Sequence, residues 1–470
     1  MSKASAPDQP SVQDGLPMPR RAWAVAAISF GMALFVMDGN IANVALPTIA
    51  RELKVSEGAV TNVVTIYQLV MVMVLLPFAA LGDRLGHRRL YQSGLVLFFA
   101  TSAFCLFVDN FVELLVLRAG QALGAGMALS VTAAMLREIY PAHRLGSGLG
   151  FNSVIVASAA AVSPTLGGFV VAHLAWQYVF VLAAPLALLS LLLGRVLPEP
   201  HVRSVANDYA GGVWSALTVA LLIIGLQLST HSSSIAAGIA MALAGVISAV
   251  LLVRRERRRE RPILPVDLLA KPVFGLSLLA AIAVFCAIGA VMIALPFRFE
   301  QTLGYAPDEV GLLLLPFPLT FLVVSPLAGG LSDRIAPTKL GVPGLFVAIS
   351  GMILLAFMPQ DAGPVGIAWR LSLTAAGLGF FLAPNSRLLI GIAPKDRAAA
   401  AGSALSTSRV LGQTMAAAAV GVLLSFGMGL GPAPIIFAIG LAVLAVVCSL
   451  VRYGTYHAQH VAKDAADSGL

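Results

Sequence analysis

Uninterrupted apolar runs of about twenty residues recur along the whole chain, with short polar segments between them. A helix rises about 1.5 Å per residue, so roughly 20 apolar residues cross the hydrocarbon core of a bilayer. The runs lack the strict alternation of a barrel strand, and the sequence therefore predicts fourteen membrane-spanning helices. We expect them at residues 23–47, 59–81, 90–108, 111–136, 147–172, 176–194, 210–230, 233–253, 273–297, 309–331, 339–358, 364–391, 398–425 and 432–451.

Composition excludes several other classes of protein. Hydrophobic residues make up 59% of the chain and charged residues only 11%, whereas soluble domains carry about 25% charged residues. Cys105, Cys286 and Cys448 fall separately within apolar runs, which argues against a disulfide framework or a metal site. The seven histidines are scattered and no paired carboxylates share a span, so there is no catalytic cluster. We therefore expect neither an enzyme nor a resident cofactor.

The distribution of positive charge predicts the orientation. The net charge of +8 comes mostly from basic residues in short loops, such as the cluster at 254–261, rather than from one face that could bind nucleic acid. Loops rich in Lys and Arg stay on the cytoplasmic side of a membrane. We expect both termini in the cytoplasm, an even number of spans, and a multi-pass protein of the bacterial inner membrane.

Three pairs of matching segments indicate an internal repeat. Residues 81–84 (LGDR) return as 331–334 (LSDR), Arg118 returns as Arg370, and residues 141–144 (PAHR) return as 394–397 (PKDR). The offsets of 250, 252 and 253 residues are nearly constant. Spans 1–6 and 9–14 would then form two pseudo-symmetric six-helix bundles, a design in which parallel repeats rock about a central site.

Spans 7 and 8 have no counterpart in the repeat and are interpreted as an inserted helical hairpin. The predicted fold class is an all-α polytopic membrane protein with fourteen helices arranged 6+2+6. The polar, Pro-rich start before a long first span predicts a retained tail rather than a cleaved signal. We place a disordered cytoplasmic tail at 1–19, the first bundle at 20–200, the hairpin and its basic loop at 201–270, the second bundle at 271–452 and a cytoplasmic tail at 453–470.

Charged groups inside spans are the strongest functional signal, because each costs roughly 2.5–3.5 kcal/mol to place there. Asp38 in span 1 and Arg118 in span 4 are expected about 13 Å and 10 Å from the outer face, where pairing would recover part of their desolvation cost. Burial disfavours an ionised carboxylate and a nearby guanidinium favours it. Asp38 is therefore predicted to take up and release a coupling proton while Arg118 tunes it; a static ion pair is the alternative.

The loop between spans 2 and 3 is short and charged. Arg88 and Arg89 suit a positive-inside anchor, whereas acidic residues contribute little to orientation. Asp83 could instead dock on the positive N-terminus of a facing helix and latch one conformer. The predicted latch comprises Asp83, Arg84, Gly86 and Arg88, with Asp333 and Arg334 in the second half.

Span 5 contains Ser163, Pro164, Gly167 and Gly168. Proline kinks a helix and glycine permits close approach of a neighbouring span, so pliable gating and tight packing explain this segment equally well. Other polar residues within spans are candidates for a substrate cavity, although an interhelical hydrogen bond explains each one better by itself. They are Asn40, Asn43, Tyr67, Gln68, Gln121, Asn152, Asn385, Arg409 and Gln413.

Over residues 20–452 the chain resembles the major facilitator superfamily, and specifically its fourteen-span drug:proton antiporters (the EmrB/QacA-like branch). The similar segments are 38–47 in span 1, 83–89 in the first cytoplasmic loop, 117–124 in span 4, 163–168 in span 5, and 176–180 with Pro185 at the start of span 6. Asn40, Ala79, Ala122 and Ser163 depart from the usual motif residues. Thr65 stands where some multidrug members have an acid, so the resemblance does not extend to a preference for dications.

The resemblance implies a proton-coupled exporter that works by alternating access, with Asp38 and Arg118 near its coupling site and the Asp83 loop stabilising the outward-facing conformer. The proton would be the coupling ion, and the expected partners are small amphipathic drugs or toxic metabolites and the lipid bilayer. A periplasmic adaptor protein is neither indicated nor excluded. An importer or a dedicated metabolite exporter on the same scaffold is the nearest alternative, ahead of a membrane-embedded enzyme.

Overall fold

A computed structural model describes residues 15–141, 145–198, 209–228, 235–257, 266–332, 334–359, 361–392 and 398–467. All regular structure within these ranges is helical. The first ten helices are α1 Arg20–Glu52, α2 Glu57–Val60, α3 Asn62–Leu85, α4 His87–Phe104, α5 Phe111–Ile139, α6 Leu145–His173, α7 Tyr178–Val181, α8 Ala184–Leu193, α9 Tyr209–Leu228 and α10 Ile235–Glu256. The others are α11 Val266–Leu269, α12 Pro272–Phe297, α13 Pro307–Leu314, α14 Pro316–Leu331, α15 Pro337–Ala356, α16 Pro364–Ile392, α17 Ala398–Ser425 and α18 Ala433–Asp467.

Twelve helical segments of the described chain are long and apolar enough to cross a membrane. They coincide with twelve of the fourteen predicted spans. The remaining two predictions fall on α6, a helix of 29 residues, and on α9, whose apolar part Ala210–Gly225 is shorter than the others. Three of the twelve are built from two helices placed end to end, namely α2 with α3, α7 with α8, and α13 with α14.

The internal repeat of the sequence is also a repeat of helix packing. In the first half α1 packs on α6 and α8, while α5 packs on α3 and α4. In the second half α12 packs on α17 and α18, while α16 packs on α14 and α15. The pair α4–α8 likewise corresponds to α15–α18. Helices α9 and α10 lie outside this correspondence; they pack on each other, and α9 also contacts α3 and α17.

The two halves are joined at one end of the molecule. We call it the Arg51 end, because Arg51 of α1 lies 3.4 Å from Glu300, just after α12, there. The opposite end, where α3 finishes, is the Arg84 end. The largest buried apolar cluster takes residues from both halves, and on α1 it runs from Ile41 to Ala50, toward the Arg51 end. Toward the Arg84 end each half has its own buried apolar cluster. Val410 is the one buried residue of the second half in the first-half cluster, and the cluster of the second half is small.

Glycines allow the closest contacts at the Arg51 end. A Cβ atom on Gly311 of α13 would lie 2.6 Å from the carbonyl oxygen of Pro164 on α6. A Cβ atom on Gly168 would collide with the carbonyl oxygen of Pro307 in the same way. Backbones of the two halves therefore touch directly here, and only residues without a side chain permit it.

Part of the predicted N-terminal tail is packed in the structure. Residues 1–14 lie outside the described ranges, but the amide of Leu16 donates a 3.0 Å hydrogen bond to the carbonyl of Ile139 at the end of α5. Arg20 Nε donates to the carbonyl of Val196 at 3.1 Å. At the other terminus, α18 continues to Asp467 and so includes most of the predicted C-terminal tail.

Candidate functional site

The two predicted coupling residues meet in the core of the first half. Asp38 on α1 and Arg118 on α5 are both fully buried, and Nη1 of Arg118 donates a 2.9 Å hydrogen bond to Oδ2 of Asp38. Counting residues along the two spans predicts similar depths for Asp38 and Arg118 below the outer face, and the structure shows the two side chains next to each other. A charge-assisted bond of this length in a water-free setting is a strong contact, and it stabilises two groups that neither lipid nor an apolar core would tolerate alone.

Arg118 is held by more than its acidic partner. Its Nε donates to the carbonyl of Val63 at 3.3 Å, and its Nη1 also donates to Oε1 of Gln121 at 2.8 Å. The guanidinium carbon lies 4.2 Å from the ring centre of Tyr67 and 5.0 Å from that of Phe180, distances at which an aromatic face attracts a cation. Arg118 therefore has contacts with a backbone carbonyl, an amide oxygen and two aromatic rings in addition to its bond with Asp38.

Tyr67 and Gln121 belong to this network rather than to a substrate cavity. The Gln121 amide donates to Oγ of Ser102 at 2.8 Å and to the carbonyl of Phe180 at 3.3 Å. Oδ1 of Asp38 and the Tyr67 hydroxyl are buried without a hydrogen bond of ordinary geometry to any described residue. The side chains of Asp38 and Tyr67 nevertheless interact with each other. Oδ1 is the carboxylate oxygen that Arg118 does not bind, and it is the atom at which the acid can accept a proton.

A cavity of about 180 Å³, the main cavity, lies between the two halves. Four of the predicted cavity residues line it. They are Asn40, Asn43, Arg409 and Gln413. The rest of its wall is apolar and aromatic and comes from α1, α6, α12, α13 and α14, and it includes Pro164 of the span 5 segment. A mostly apolar wall with a few convergent polar groups is the usual composition of a small-molecule site.

A second space of about 60 Å³, the side pocket, shares Asn40, Arg409 and Gln413 with the main cavity. Gly39 and Gln68 also line it. These two residues are the chain neighbours of Asp38 and Tyr67, so the side pocket extends from the main cavity toward the ion pair. Neither Asp38 nor Arg118 lines either space.

Gln68 and Gln413 connect the two halves across the side pocket. Nε2 of Gln68 on α3 lies 3.5 Å from Oε1 of Gln413 on α17, which is long for a hydrogen bond. A contact of this length adds little stability, so it can be broken and remade when the halves move.

Arg409 is partly buried and differs from Arg118 and Arg452, which are buried. It makes no hydrogen bond or ion pair with any residue that the structure describes, and no acidic side chain lines the main cavity or the side pocket. Its helix, α17, places it about 16 Å from the helix start at the Arg84 end, well inside the bundle. An arginine at such depth is expected to face a cavity or a partner.

Asn385 was a candidate for the cavity wall, with an interhelical hydrogen bond as the better explanation, and the structure shows such hydrogen bonds. Its Nδ2 donates to the carbonyl of Ser277 at 3.0 Å, and its Oδ1 accepts a 2.7 Å bond from Nη1 of Arg452. Arg452 also donates to Oγ of Ser277 at 2.7 Å and to Oγ1 of Thr338 at 3.3 Å. Arg452 therefore binds the side-chain amide of Asn385, which was a candidate contact for a substrate. Arg452 follows the predicted last span at 432–451 by one residue, and nothing in the sequence indicates that its side chain is buried.

The predicted latch is only partly described. Gly86 connects α3 to α4 with a φ of 93°, a conformation that favours glycine. Nη1 of Arg88 donates to the carbonyl of Leu197 at 3.4 Å, and both Arg84 and Arg334 are exposed. Asp333 and the side chain of Asp83 lie outside the description, as does the side chain of Asn152, so the docking of Asp83 stays a prediction.

The span 5 segment packs on both halves. Oγ of Ser163 donates to the carbonyl of Ala159, one turn earlier, at 2.6 Å. A Cβ atom on Gly167 would lie 2.9 Å from a side-chain carbon of Ile41 on α1, and Gly168 faces α13 as described above. The segment could serve tight packing or gating, and both roles would use its contacts with α1 and α13, because tight packing at this point also holds the Arg51 end closed.

Arg370, the repeat counterpart of Arg118, has a different environment. Its Nε donates to the carbonyl of Leu354 at 3.1 Å and its Nη1 to the carbonyl of Gly366 at 2.6 Å. The guanidinium lies over the ring of Trp369, at 4.5 Å. Arg370 forms no ion pair with any described residue, so the charged pair is present in the first half alone.

The chain matches the sequence profile of the Major Facilitator Superfamily over residues 28–218, 203–416 and 277–468. It is 39% identical over 448 residues to the uncharacterized transporter YebQ of Escherichia coli K12, covering 94% of this chain and 98% of YebQ. It is 26% identical over 396 residues to the riboflavin transporter RibZ of Clostridioides difficile 630, covering 83% and 86%. Multidrug resistance protein Stp of Mycobacterium tuberculosis is 29% identical over 415 residues, covering 86% of this chain and 76% of Stp.

Two solved structures have the same fold. One is a bacterial homolog of the human lysosomal transporter Spinster in an inward-facing, unoccupied conformation, with a TM-score of 0.69, 15% identity, and coverage of 93% of this chain and 99% of that one. The other is a D-xylose–proton symporter, with a TM-score of 0.66, 18% identity, and coverage of 92% and 97%.

Proposed function

The chain belongs to the Major Facilitator Superfamily, and on that premise we propose that it exports small amphipathic molecules in exchange for protons by alternating access. The observation that carries the proposal is the pair formed by Asp38 and Arg118. It is a buried acid that binds an arginine through one oxygen, beside a side pocket that opens from a central cavity. The main cavity supplies the apolar wall and the few polar groups that an amphipathic substrate needs.

Proton uptake at Asp38 would change the contact between α1 and α5 without dislodging Arg118. The neutral acid no longer attracts the guanidinium by charge, while Val63, Gln121 and the Tyr67 ring still hold it. Since α1 also contacts α12 across the halves, the protonation state of Asp38 would bias how the halves meet. One proton entering per neutral substrate is driven by roughly 2.3 kcal/mol per 100 mV of membrane potential, or roughly fiftyfold in concentration ratio.

The conformer fits an inward-facing state when the Arg51 end is taken as the outer one, as the charge distribution predicts. At that end the halves share a buried core and touch through Gly168 and Gly311. Toward the Arg84 end their cores are separate. The outward-facing state would require the Gly168–Gly311 contact and the Arg51–Glu300 pair to separate, with the predicted Asp83 latch closing the cytoplasmic end.

We further propose fourteen spans in a 6+2+6 arrangement, in the bacterial inner membrane with both termini in the cytoplasm. The length of α6 and its contact with α1, which the α12–α17 contact mirrors, support its assignment as a span. The position of α9 and α10 outside the repeat supports an inserted hairpin.

Transport in everted membrane vesicles tests the proposal. A panel of dyes and antibiotics is added, an inward-acid pH gradient is imposed, and accumulation is followed with and without an uncoupler. We expect accumulation that the uncoupler abolishes and that Asp38→Asn reduces at least tenfold. Unchanged proton coupling in Asp38→Asn would remove Asp38 from the mechanism, and accumulation only in right-side-out vesicles would identify an importer.

A dedicated transporter of one aromatic metabolite is the second candidate, because one relative carries riboflavin in its name. The same vesicles distinguish the two functions. Accumulation of several unrelated compounds supports drug export, whereas accumulation of one compound that competitors do not displace supports a dedicated transporter.

A further inference from the structure

Arg118, Arg452 and Arg409 lie within helices of the bundle, and Arg409 alone among these three has no partner in the part of the chain that the structure describes. Arg118 is neutralised by Asp38 at 2.9 Å. Arg452 donates to Ser277, Asn385 and Thr338. Arg409 makes neither an ion pair nor a hydrogen bond with any described residue, yet it lines both the main cavity and the side pocket. A guanidinium inside a membrane protein needs a counter-charge or acceptors, and the cavity wall that the structure describes contains no acid.

We infer that the cavity selects amphipathic anions and that Arg409 binds their charged head. This inference rests on the proposed transport function and specifies its substrate class. A guanidinium presents a planar fork of N–H donors that matches a carboxylate, sulfonate or phosphate. A bound anion supplies a counter-charge that no residue lining the main cavity or the side pocket supplies. A bound cation would be repelled by Arg409, and no carboxylate in these walls would offset the repulsion.

The surroundings of Arg409 complete such a site. Gln413 lies one turn further along α17, and Asn43 of α1 lines the opposite side of the main cavity. Phe285, Phe317 and Phe321 line the same space, so that an aromatic or aliphatic body can pack there while its head reaches Arg409.

The charge of the substrate decides how the membrane potential drives transport. Exchange of one proton for a monoanion moves two elementary charges inward, exchange for a neutral molecule moves one, and exchange for a monocation moves none. Each charge contributes roughly a fiftyfold concentration ratio per 100 mV. An anion exporter should therefore respond to potential even when no pH gradient is present.

A pair of dyes with the same ring system and opposite charge tests the inference. Purified full-length protein is reconstituted into liposomes, and uptake of anionic fluorescein and of cationic rhodamine 123 is measured under an imposed pH gradient and, separately, an imposed potential. We expect fluorescein to be transported in preference to rhodamine 123. Arg409→Gln should raise the KM for fluorescein at least tenfold, and Arg409→Lys should raise it less, because a lysine keeps the charge but loses the fork.

Arg370→Gln is the matched control, since Arg370 lies in a span of the same half but donates to backbone carbonyls and does not line the cavity. It should leave both dyes unaffected. Preferred transport of rhodamine 123, or an unchanged KM for fluorescein in Arg409→Gln, would overturn the inference and leave the proposed function intact. Gradient-driven transport of neither dye by the wild type would contradict the proposed function itself. The preference for fluorescein over rhodamine 123 is measured with the wild-type protein alone, so the inference can be tested even if Arg409→Gln does not fold.

Discussion

Nη1 of Arg118 lies 2.9 Å from Oδ2 of Asp38, and both side chains are completely shielded from solvent. Both residues belong to the first half of the chain, on α1 and α5. Relative movement of the two halves therefore need not break the pair, and any signal from it has to cross to the second half through neighbours such as Gln68, whose amide reaches Gln413 at 3.5 Å.

The ion pair should show strong coupling in a double-mutant cycle. Asp38→Asn leaves a buried guanidinium without its counter-charge and should lower the free energy of unfolding by about 3–5 kcal/mol. The double variant Asp38→Asn/Arg118→Gln should be less destabilised than the sum of the two single variants, because it leaves no unpaired charge. Unfolding of purified protein in detergent measures all four species. Additive effects would mean that the two groups do not stabilise each other.

The contact of Gly311 with α6 should control closure of the Arg51 end. Gly311→Val would press on the Pro164 carbonyl and should favour conformers that are open at this end. Leu314, buried in the main cavity wall, is replaced by cysteine in a background without the three native cysteines. Labelling by a membrane-impermeant maleimide should become several-fold faster in Gly311→Val.

The matched control for this experiment is Gly329→Val on α14, because no heavy atom lies within 4 Å of a Cβ placed there. It carries the same change in helix propensity without the collision. Equal labelling rates for the two valine variants would show that the close approach of α6 and α13 does not limit opening.

Asn385 should affect the free energy of unfolding, whereas Gln413 should affect the KM for a transported dye. Asn385→Leu removes an acceptor from Arg452 and should lower the free energy of unfolding by about 1–3 kcal/mol, with no change in the KM for a transported dye. Gln413→Leu alters the cavity wall and should change the KM while stability stays within about 1 kcal/mol of wild type. Thermal unfolding and transport kinetics on the same preparations separate the two. A changed KM in Asn385→Leu would contradict this expectation and indicate that Asn385 contacts the substrate during transport.

Ser248 should stabilise the α9–α10 hairpin. Its hydroxyl accepts a 2.8 Å bond from the Trp214 indole and lies 2.7 Å from the Thr218 hydroxyl. Polar contacts between membrane helices contribute about 0.6 kcal/mol on average and about 1.7 at most, so Ser248→Ala should cost about 1 kcal/mol in thermal unfolding. Ser350→Ala, which removes only a bond to Phe346 within its own helix, should cost less. Equal losses would mean that Ser248 does not join the two helices.

Depth along a span could be predicted from the sequence, because helical rise is constant. This is why Asp38 and Arg118 were matched correctly, and why three short segments at a constant offset predicted halves whose helices pack in the same pairs. The apolar runs also predicted the twelve helices that are long and apolar enough to cross a membrane, and most predicted ends lie within a few residues of the ends in the structure. Periodicity and composition are sufficient for these features, since the bilayer imposes the same length and polarity on every span.

The direction in which a polar side chain points could not be predicted. Tyr67, Gln121 and Gln413 are all polar residues within spans, and only contacts with other helices decide that two join Arg118 and one faces the cavity. An interhelical hydrogen bond was the better explanation for Asn385, but its partner could not be named. That partner, Arg452, lies beyond the apolar run that defined the last span, while α18 continues past it. The pair formed by His87 and Glu138, 2.9 Å apart, was missed for a similar reason: the two residues end different spans, and nothing in their local sequence relates them.

The environment of Arg370 bears on proton stoichiometry. A constant offset of 250–253 residues puts the counterpart of Asp38 among residues 288–291, which are Ile, Gly, Ala and Val. The second copy of the repeat thus kept the arginine and anchored it on backbone carbonyls, without an acid to titrate beside it. Among the residues that the structure describes, the acid–arginine pair occurs once, so under the proposed mechanism a transport cycle would exchange one proton through it rather than two.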